Sequence, residues 1–186
     1  MNLFCGRMLR LAAPDASDIA VVQRWSEDAD FLRRMQLSYA RPFSIDEIPQ
    51  TYLGGSSGTH HIHFRLRTLT DDRLVGYVVL YDIYWNLQVA NVGIAIGDPA
   101  ERGRGYGRDG MELILRYAFN ELNLYRVALT VLARNTAARH MYEAAGFQVE
   151  GIMRANDFRD GVRGDDVMMS ILAPEWHQRT AYFTNT

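Results

Sequence analysis

The residues of this chain best placed to do chemistry together stand in one short run, Arg102-Gly103-Arg104-Gly105-Tyr106-Gly107-Arg108. Four of the 15 glycines fall between positions 103 and 110, after an expected strand and before an expected helix. Glycine lets a backbone take positive φ and approach a ligand closely, so that successive N–H groups converge on one anion. The helix opening near Arg108 adds its unpaired N–H groups and the positive end of its dipole. Arg102, Arg104 and Arg108 bring charge to the same turn. A phosphate or pyrophosphate suits this chemistry; a tight connection without a ligand is the plain alternative.

All 20 basic residues are arginine, and lysine is absent. That excludes a Schiff-base lysine, a pyridoxal anchor and the P-loop lysine. Anion binding must rest on arginine and backbone N–H groups. Gly105-x-Gly107-x-x-Gly110 matches the dinucleotide string. It follows an apparent antiparallel hairpin late in the chain, however, and no acid stands about 20 residues on, where a dinucleotide site needs one.

Other reactive side chains are scattered. His60, His61 and His63 hint at a metal, but alternation leaves only His61 and His63 on one strand face, with no cysteine or acid suitably spaced, so no metal site is expected. Tyr77, Tyr81, Tyr84 and Trp85 suit an acceptor pocket or ordinary packing equally well. Glu27, Asp28 and Asp30 suit either attraction of a cationic amine or a solvated helix end.

The elements that must position these groups follow from periodicity. Met8 to Ala12 reads as a strand, and Pro14-Asp15-Ala16-Ser17 introduces a helix to about Ser26, capped by Ser17 or Asp15. A second short helix is expected from Glu27 to Arg34. Ser44-Ile45-Asp46-Glu47 has the form of a capping box for a third, to about Leu53, and Gly54 to Gly58 is a loop. His61–Leu69 alternates as a strand, and Leu74–Tyr84 with Leu87–Gly97 forms a hairpin. Met111, Ile114, Leu115, Ala118 and Leu122 then mark a helical stripe. Val127 to Ala133 reads as a strand buried on both faces. Asn135 caps a helix carrying Ala137, Ala138, Met141, Tyr142 and Ala145, and Gly146 stops it. Gln148–Asp157 and Asp166–Leu172 form a last hairpin around Asp160-Gly161, leaving Pro174 to Thr186 as a tail with about one helical turn. From periodicity alone, Tyr142 is a core residue.

The bulk numbers set the class. A chain of 186 residues, 48% hydrophobic and 23% charged, suits one globular domain over 1–186. A net charge of −2 gives no reason to expect nucleic acid or a membrane surface. One cysteine, Cys5, no apolar run of membrane length and no signal-like start lead to the expectation of a soluble cytoplasmic protein.

In order and spacing these segments resemble the GNAT superfamily of N-acetyltransferases, from roughly Leu74 to Leu172, with a weaker echo from Met8 onward. Arg102 to Gly107 satisfies that family's phosphate motif, Arg/Gln-x-x-Gly-x-Gly/Ala. Asn91 to Gly97 looks like its bulged fourth strand, and Asn135, Ala138, Tyr142 and Gly146-Phe147 look like its second motif. Glu150-Gly151, Arg154, Asp160-Gly161 and Asp165 resemble the branch holding ribosomal-protein N-terminal and spermidine acetyltransferases.

The resemblance implies an α/β GNAT fold: a mixed, mainly antiparallel central sheet flanked by helices, with fourth and fifth strands splayed to admit acetyl-CoA. Pantetheine would pair along Ile94, Ala95 and Ile96. The pyrophosphate would lie on Arg102, Gly103, Arg104, Gly105, Tyr106, Gly107 and Arg108, with Asn135 touching pantetheine or ordering its motif. Tyr142 would be the general acid for the departing thiolate, and a backbone N–H near Ile94 or Ala95 the oxyanion donor. Many relatives place a glutamate base where this chain has Asn91, so Asp82, a water chain or a partly neutral amine remain as alternatives. The expected reaction is acetyl transfer from acetyl-CoA to an amine: a protein N-terminus, a polyamine or a small amine. A homodimer is a family-level expectation. A non-catalytic acyl-CoA-binding module is the main rival, and a nucleotide-binding protein the second.

Overall fold

In the computed structural model, which describes residues 2–35, 39–44, 46 and 60–184, a short strand β1 (Leu9–Ala12) leads into a single turn of 3-10 helix at Ala16–Asp18. Asp15 caps that turn, and Asp18 reaches back to the Asp15 N–H in a capping box. Helix α1 (Ile19–Ser26) and helix α2 (Ala29–Met35) follow. The expected helix from Ile45 to Leu53 and the loop from Gly54 to Gly58 lie largely outside the described residues. Strands β2 (Ile62–Thr68), β3 (Leu74–Tyr84) and β4 (Val89–Ile96) then build an antiparallel meander. Helix α3 (Tyr106–Asn120) crosses over to β5 (Arg126–Leu132). Helix α4 (Thr136–Ala145), strands β6 (Gln148–Arg159) and β7 (Val162–Leu172), and helix α5 (Ala173–Thr184) complete the chain.

One seven-stranded sheet runs β1-β2-β3-β4-β5-β7-β6. Every neighbouring pair is antiparallel except β4–β5, the pair joined by a helical crossover, as parallel strands require. That parallel ladder is short: Val89, Ala90 and Asn91 face Arg126, Val127 and Ala128, and pairing then stops. β5 keeps its bond to β7 over its whole length, so beyond Asn91 the sheet splits between β4 and β5. The splay expected from the family resemblance is present.

Each face buries its own layer. Leu66, Val78, Leu80, Val92 and Ile94 on one face join Met111, Ile114 and Leu115 of α3 in the main core. On the other, Tyr77 and Ala95 pack with Val22 and Trp25 of α1 and Phe31 and Leu32 of α2. Beside them Asp18 and Arg65 are both fully buried and ion-paired at 3.4 Å, with Arg67 bonded to the same carboxylate. Burial of the Arg65 guanidinium is costly without a countercharge, and Asp18 supplies one.

Four sequence expectations need correcting. The irregularity assigned to the fourth strand sits on the third: between Tyr81 and Tyr84, Asp82 and Ile83 stand opposite the single residue Ala90 of β4, and Asp82 takes φ +50°. β5 is not buried on both faces, because Thr130 is exposed where the sheet splits. The final hairpin is longer than expected and continues to its turn, since register shifts around Gly151 and before Asp157 absorb the break in alternation. The tail is a 12-residue helix. Pro174 falls in its first turn, where no N–H is needed. Glu175 accepts from the Leu172 N–H at 2.8 Å, and Trp176 is buried against Phe119.

Candidate active site

The split between β4 and β5 opens into a cleft of about 690 Å³ that reaches both faces of the sheet. Its rim includes Ile94, Ala95 and Ile96, whose strand has no partner on this side after Asn91. Strand backbone alternates its polar groups between two edges, so about half the N–H and C=O groups from Val92 to Ile96 face the gap and need partners.

The glycine-rich turn closes one end. Gly103 and Gly105 take φ +75° and +89°, the left-handed region that favours glycine. Gly105 is the N-cap of α3, and the first helical bond runs from the Asp109 N–H to the Gly105 carbonyl at 3.0 Å. The N–H groups before it have no helical acceptor. Gly103, Gly105, Gly107 and Arg108 all line the cleft, and Arg108 is exposed. The arginines of the turn divide their work. Arg104 pairs with Glu101 at 2.8 Å and lies over the Tyr106 ring, and neither Arg104 nor Tyr106 lines the cleft; Tyr106 is buried in the main core. Arg102 lines it, but its guanidinium is held by the Ile96 and Gly97 carbonyls (3.3 and 2.9 Å) and by Asp28 (3.3 Å) and Asp30 (3.6 Å). Asp28 and Asp30 are therefore anchors for Arg102, and Asp30 also binds Arg34.

Asn135 lines the cleft and accepts from the Ala138 N–H, which caps α4. At the far end of α4, Gly146 takes φ +102° and stops the helix. Between them Tyr142 reaches the cleft with only 8% exposure, its ring edge-on to Phe147 at 5.8 Å. Burial, with the neighbouring Tyr81 phenol, pushes the Tyr142 hydroxyl up to about 12. A phenol so shifted stays protonated across the physiological range and is a hydrogen-bond donor. Asp82 does not line the cleft. It is exposed, and its carboxylate accepts from the Asn91 amide at 3.2 Å.

Three features lie wholly or partly beyond what local sequence pattern signals. The Asp109 carboxylate, buried in the first turn of α3, accepts from the N–H groups of Arg7, Met8 and Leu9 at 2.8–2.9 Å, tying the start of the chain under the turn. Glu101 is gripped by Arg73 and Arg104. On the face of the sheet opposite α3, His63, Tyr77, Val79, Tyr81 and Gly93 form the cleft wall below Phe31, Arg34 and Met35 of α2. Alternation places His61 and His63 together, but nothing local places His63 in a cleft. Among the described residues no three histidine, cysteine or acidic side chains gather into a metal site.

A strand-edge groove beside a pyrophosphate-sized turn is the geometry of a coenzyme A site. The family model for the acetyltransferase (GNAT) domain matches residues 8–148. The chain belongs to the GNAT acetyltransferase family. With that membership come its enzyme class, acetyl-CoA-dependent N-acetyltransferase, and its donor. Among the family's members, a probable N-acetyltransferase of Bacillus subtilis, YjcK, is 39% identical over 62% of this chain and 64% of its own length, just under two thirds. A spermidine N(1)-acetyltransferase of Vibrio cholerae is 29% identical over 92% of this chain and 97% of its own. The crystal structure of the spermidine N-acetyltransferase from Vibrio cholerae, in complex with CoA and spermine, superposes with a TM-score of 0.81. It is 26% identical and covers 91% of this chain and 98% of its own. Among the described residues no helix is long and apolar enough to cross a membrane.

Proposed function

We propose that this chain moves the acetyl group of acetyl-CoA to a primary amine by direct attack within the β4–β5 cleft. The observation that carries this reading is the open β4 edge beside the left-handed Gly103–Gly105 turn. Pantetheine completes the unpaired ladder along Ile94 to Ile96, and the pyrophosphate sits on the free N–H groups from Gly103 to Arg108. Arg108 is the arginine of the turn left to meet the phosphates, since Arg102 and Arg104 hold protein carboxylates. Asn135 keeps α4 in place beside the thioester. A backbone N–H near Ile94 or Ala95 receives the developing oxyanion.

Tyr142 faces the departing sulfur. Passing its proton outright to a thiolate of pKa about 8.5 is uphill by on the order of 5 kcal/mol for a phenol near 12. The transfer is favourable only when the phenol oxygen is resupplied as it gives. The ammonium formed on the tetrahedral adduct is the acid able to resupply it. Tyr142 is thus a relay: it donates to sulfur while taking the adduct's N–H proton.

The acceptor side weighs for one amino group over a polycation. Among the described residues, Asp28, Asp30, Glu101, Asp157 and Asp160 around the cleft and its neighbouring pocket each face an arginine already. The same reading takes the protein to be cytoplasmic and homodimeric.

Thermal unfolding and thioester consumption test the proposal. Saturating CoA should protect the fold and ATP or NAD should not; ligand at 100 times its Kd stabilises by about 2.7 kcal/mol. Acetyl-CoA should be consumed with at least one member of a panel of spermine, peptides with free N-termini and small monoamines. Protection by CoA without turnover across that panel would favour a binding module, and absence of protection would remove the reading.

A further inference from the structure

The cleft holds many ionisable groups and, among its described lining residues, one that changes charge near neutrality. Arg34, Arg102 and Arg108 stay cationic at any working pH. Glu101 is committed to Arg73 and Arg104. Phenols titrate near 10, and burial raises Tyr81 and Tyr142 further. What is left is His63.

Its position is specific. His63 on β2 pairs with Val79 on β3, and Val79 pairs with Gly93 on β4, so the three form one row on one face of the sheet. Two strand spacings, about 10 Å, separate the His63 backbone from the open edge of β4. Gly93 leaves the end of that row clear: a Cβ there would stand 3.3 Å from Val79 and 3.9 Å from Tyr81. An amine approaching the thioester from the α2 side passes along this row. Asp82 and Asn91, the strand positions where a base was expected, bond to each other instead.

We propose that His63 takes the proton that the acceptor's ammonium group must lose, directly or through one water, before the amine attacks. The inference rests on the acetyl-transfer reading above. The ammonium N–H bond breaks, its proton moves to an imidazole nitrogen, and the freed lone pair forms the C–N bond to the thioester carbonyl. The C–S bond then breaks and its electrons leave on sulfur. Tyr142 protonates that sulfur and recovers a proton from the adduct nitrogen, while His63 releases its own to solvent.

His63 must be neutral to serve, and its surroundings favour that form. Half-burial lowers its pKa first, then the positive charge of Arg65 and the stacked His61 ring at 6.3 Å. Arg34 from α2, which is paired with Asp30, also faces the cleft, and Tyr77 and Tyr81 from β3 are neutral neighbours. kcat/KM should therefore fall on acidification through a midpoint below the ordinary 6.5 of histidine.

The test is the pH profile of kcat/KM from pH 5 to 9, with spermine and with a short peptide bearing a free N-terminus. Their amines ionise about two units apart, near 10 and near 8. In the wild type the acid limb should keep one midpoint for both amines. In His63→Gln the rate at pH 7 should fall about 100-fold, and the remaining limb should follow each amine's own pKa. CoA protection against heat checks that the variant is folded. A wild-type limb that moves with the amine overturns the proposal without any variant, as does a folded variant with an unaltered profile. A wild type that consumes no acetyl-CoA with these two amines or with the small monoamines of the panel overturns the acetyl-transfer reading and this inference together, whereas normal turnover with an unaltered variant removes His63 alone.

Discussion

Replacing Asp109 with alanine should be among the most destabilising single changes near the cleft. Its carboxylate, 7% exposed, accepts three backbone N–H groups at 2.8–2.9 Å. Leu9 is fully buried, so its N–H would have no water to turn to; a bond to a charged acceptor in such a place is worth about 2–3 kcal/mol. Arg7 and Met8 are part-buried, and water can replace much of what they lose, about 1 kcal/mol each. Alanine recovers about 0.5 kcal/mol of helix propensity. The net loss should be about 4 kcal/mol. With a urea m-value of about 2 kcal/mol/M, the midpoint should fall by about 2 M at unchanged slope. Asp109→Asn keeps one acceptor oxygen and should fall about half as far. A midpoint shift under about 0.5 M for the alanine variant would refute the reasoning, because it would mean that the three N–H groups find other partners or that the clamp is not formed.

Two further predictions concern the relay and the acid response. Tyr142→Phe should lower kcat about 100-fold while leaving acetyl-CoA affinity nearly unchanged, because the ring and its contact with Phe147 survive and only the hydroxyl is lost; a stopped assay at saturating donor checks it, and unaltered turnover removes the role. Glu150 bonds both Arg126 nitrogens at 2.5 Å and Ser170 at 2.7 Å, which pulls its carboxyl down to about 2. A depressed carboxylate adds stability above its unfolded pKa of about 4.5 and loses it as pH falls towards about 2. Glu150→Gln should flatten the decline of the urea midpoint across that window, by an amount that solvent screening of the half-exposed pair keeps modest; parallel declines in both proteins would count against it.

What the sequence made legible was local. Asn135 and Gly146 could be assigned as cap and stop because capping chemistry lies within a few residues of the helix it serves, and both take that geometry. The glycine turn was readable for the same reason. Tyr142 sits on an apolar stripe and reads as core by period; only resemblance raised it to a reacting group, and it is indeed mostly buried while still lining the cleft. The arginines of the turn have partners that the local sequence does not show. Charge near a phosphate site looks like charge for the phosphate, and Arg102 and Arg104 are also ion-paired with Asp28, Asp30 and Glu101. Asp28 and Asp30 lie some seventy residues away from Arg102, and no periodicity couples them. Asp109 shows the same limit, since its partners stand about a hundred residues before it. The final helix exceeds the single turn that its sequence suggests, because Pro174 looks like a breaker unless the helix starts one residue before it.

The side chain of Arg102 joins two parts of the cleft. It springs from the glycine-rich turn, yet it grips the end of β4 through two carbonyls and the start of α2 through the carboxylates of Asp28, just before it, and Asp30. On the proposed reading, the donor's seat and the helix over the acceptor's path therefore share one fastening. If donor binding at the turn orders α2 through this fastening, binding under α2 must order the turn. Linkage makes that exchange symmetric: an acceptor that steadies α2 tightens the donor by the same factor as the donor tightens the acceptor. The cleft then behaves as one binding unit with two mouths.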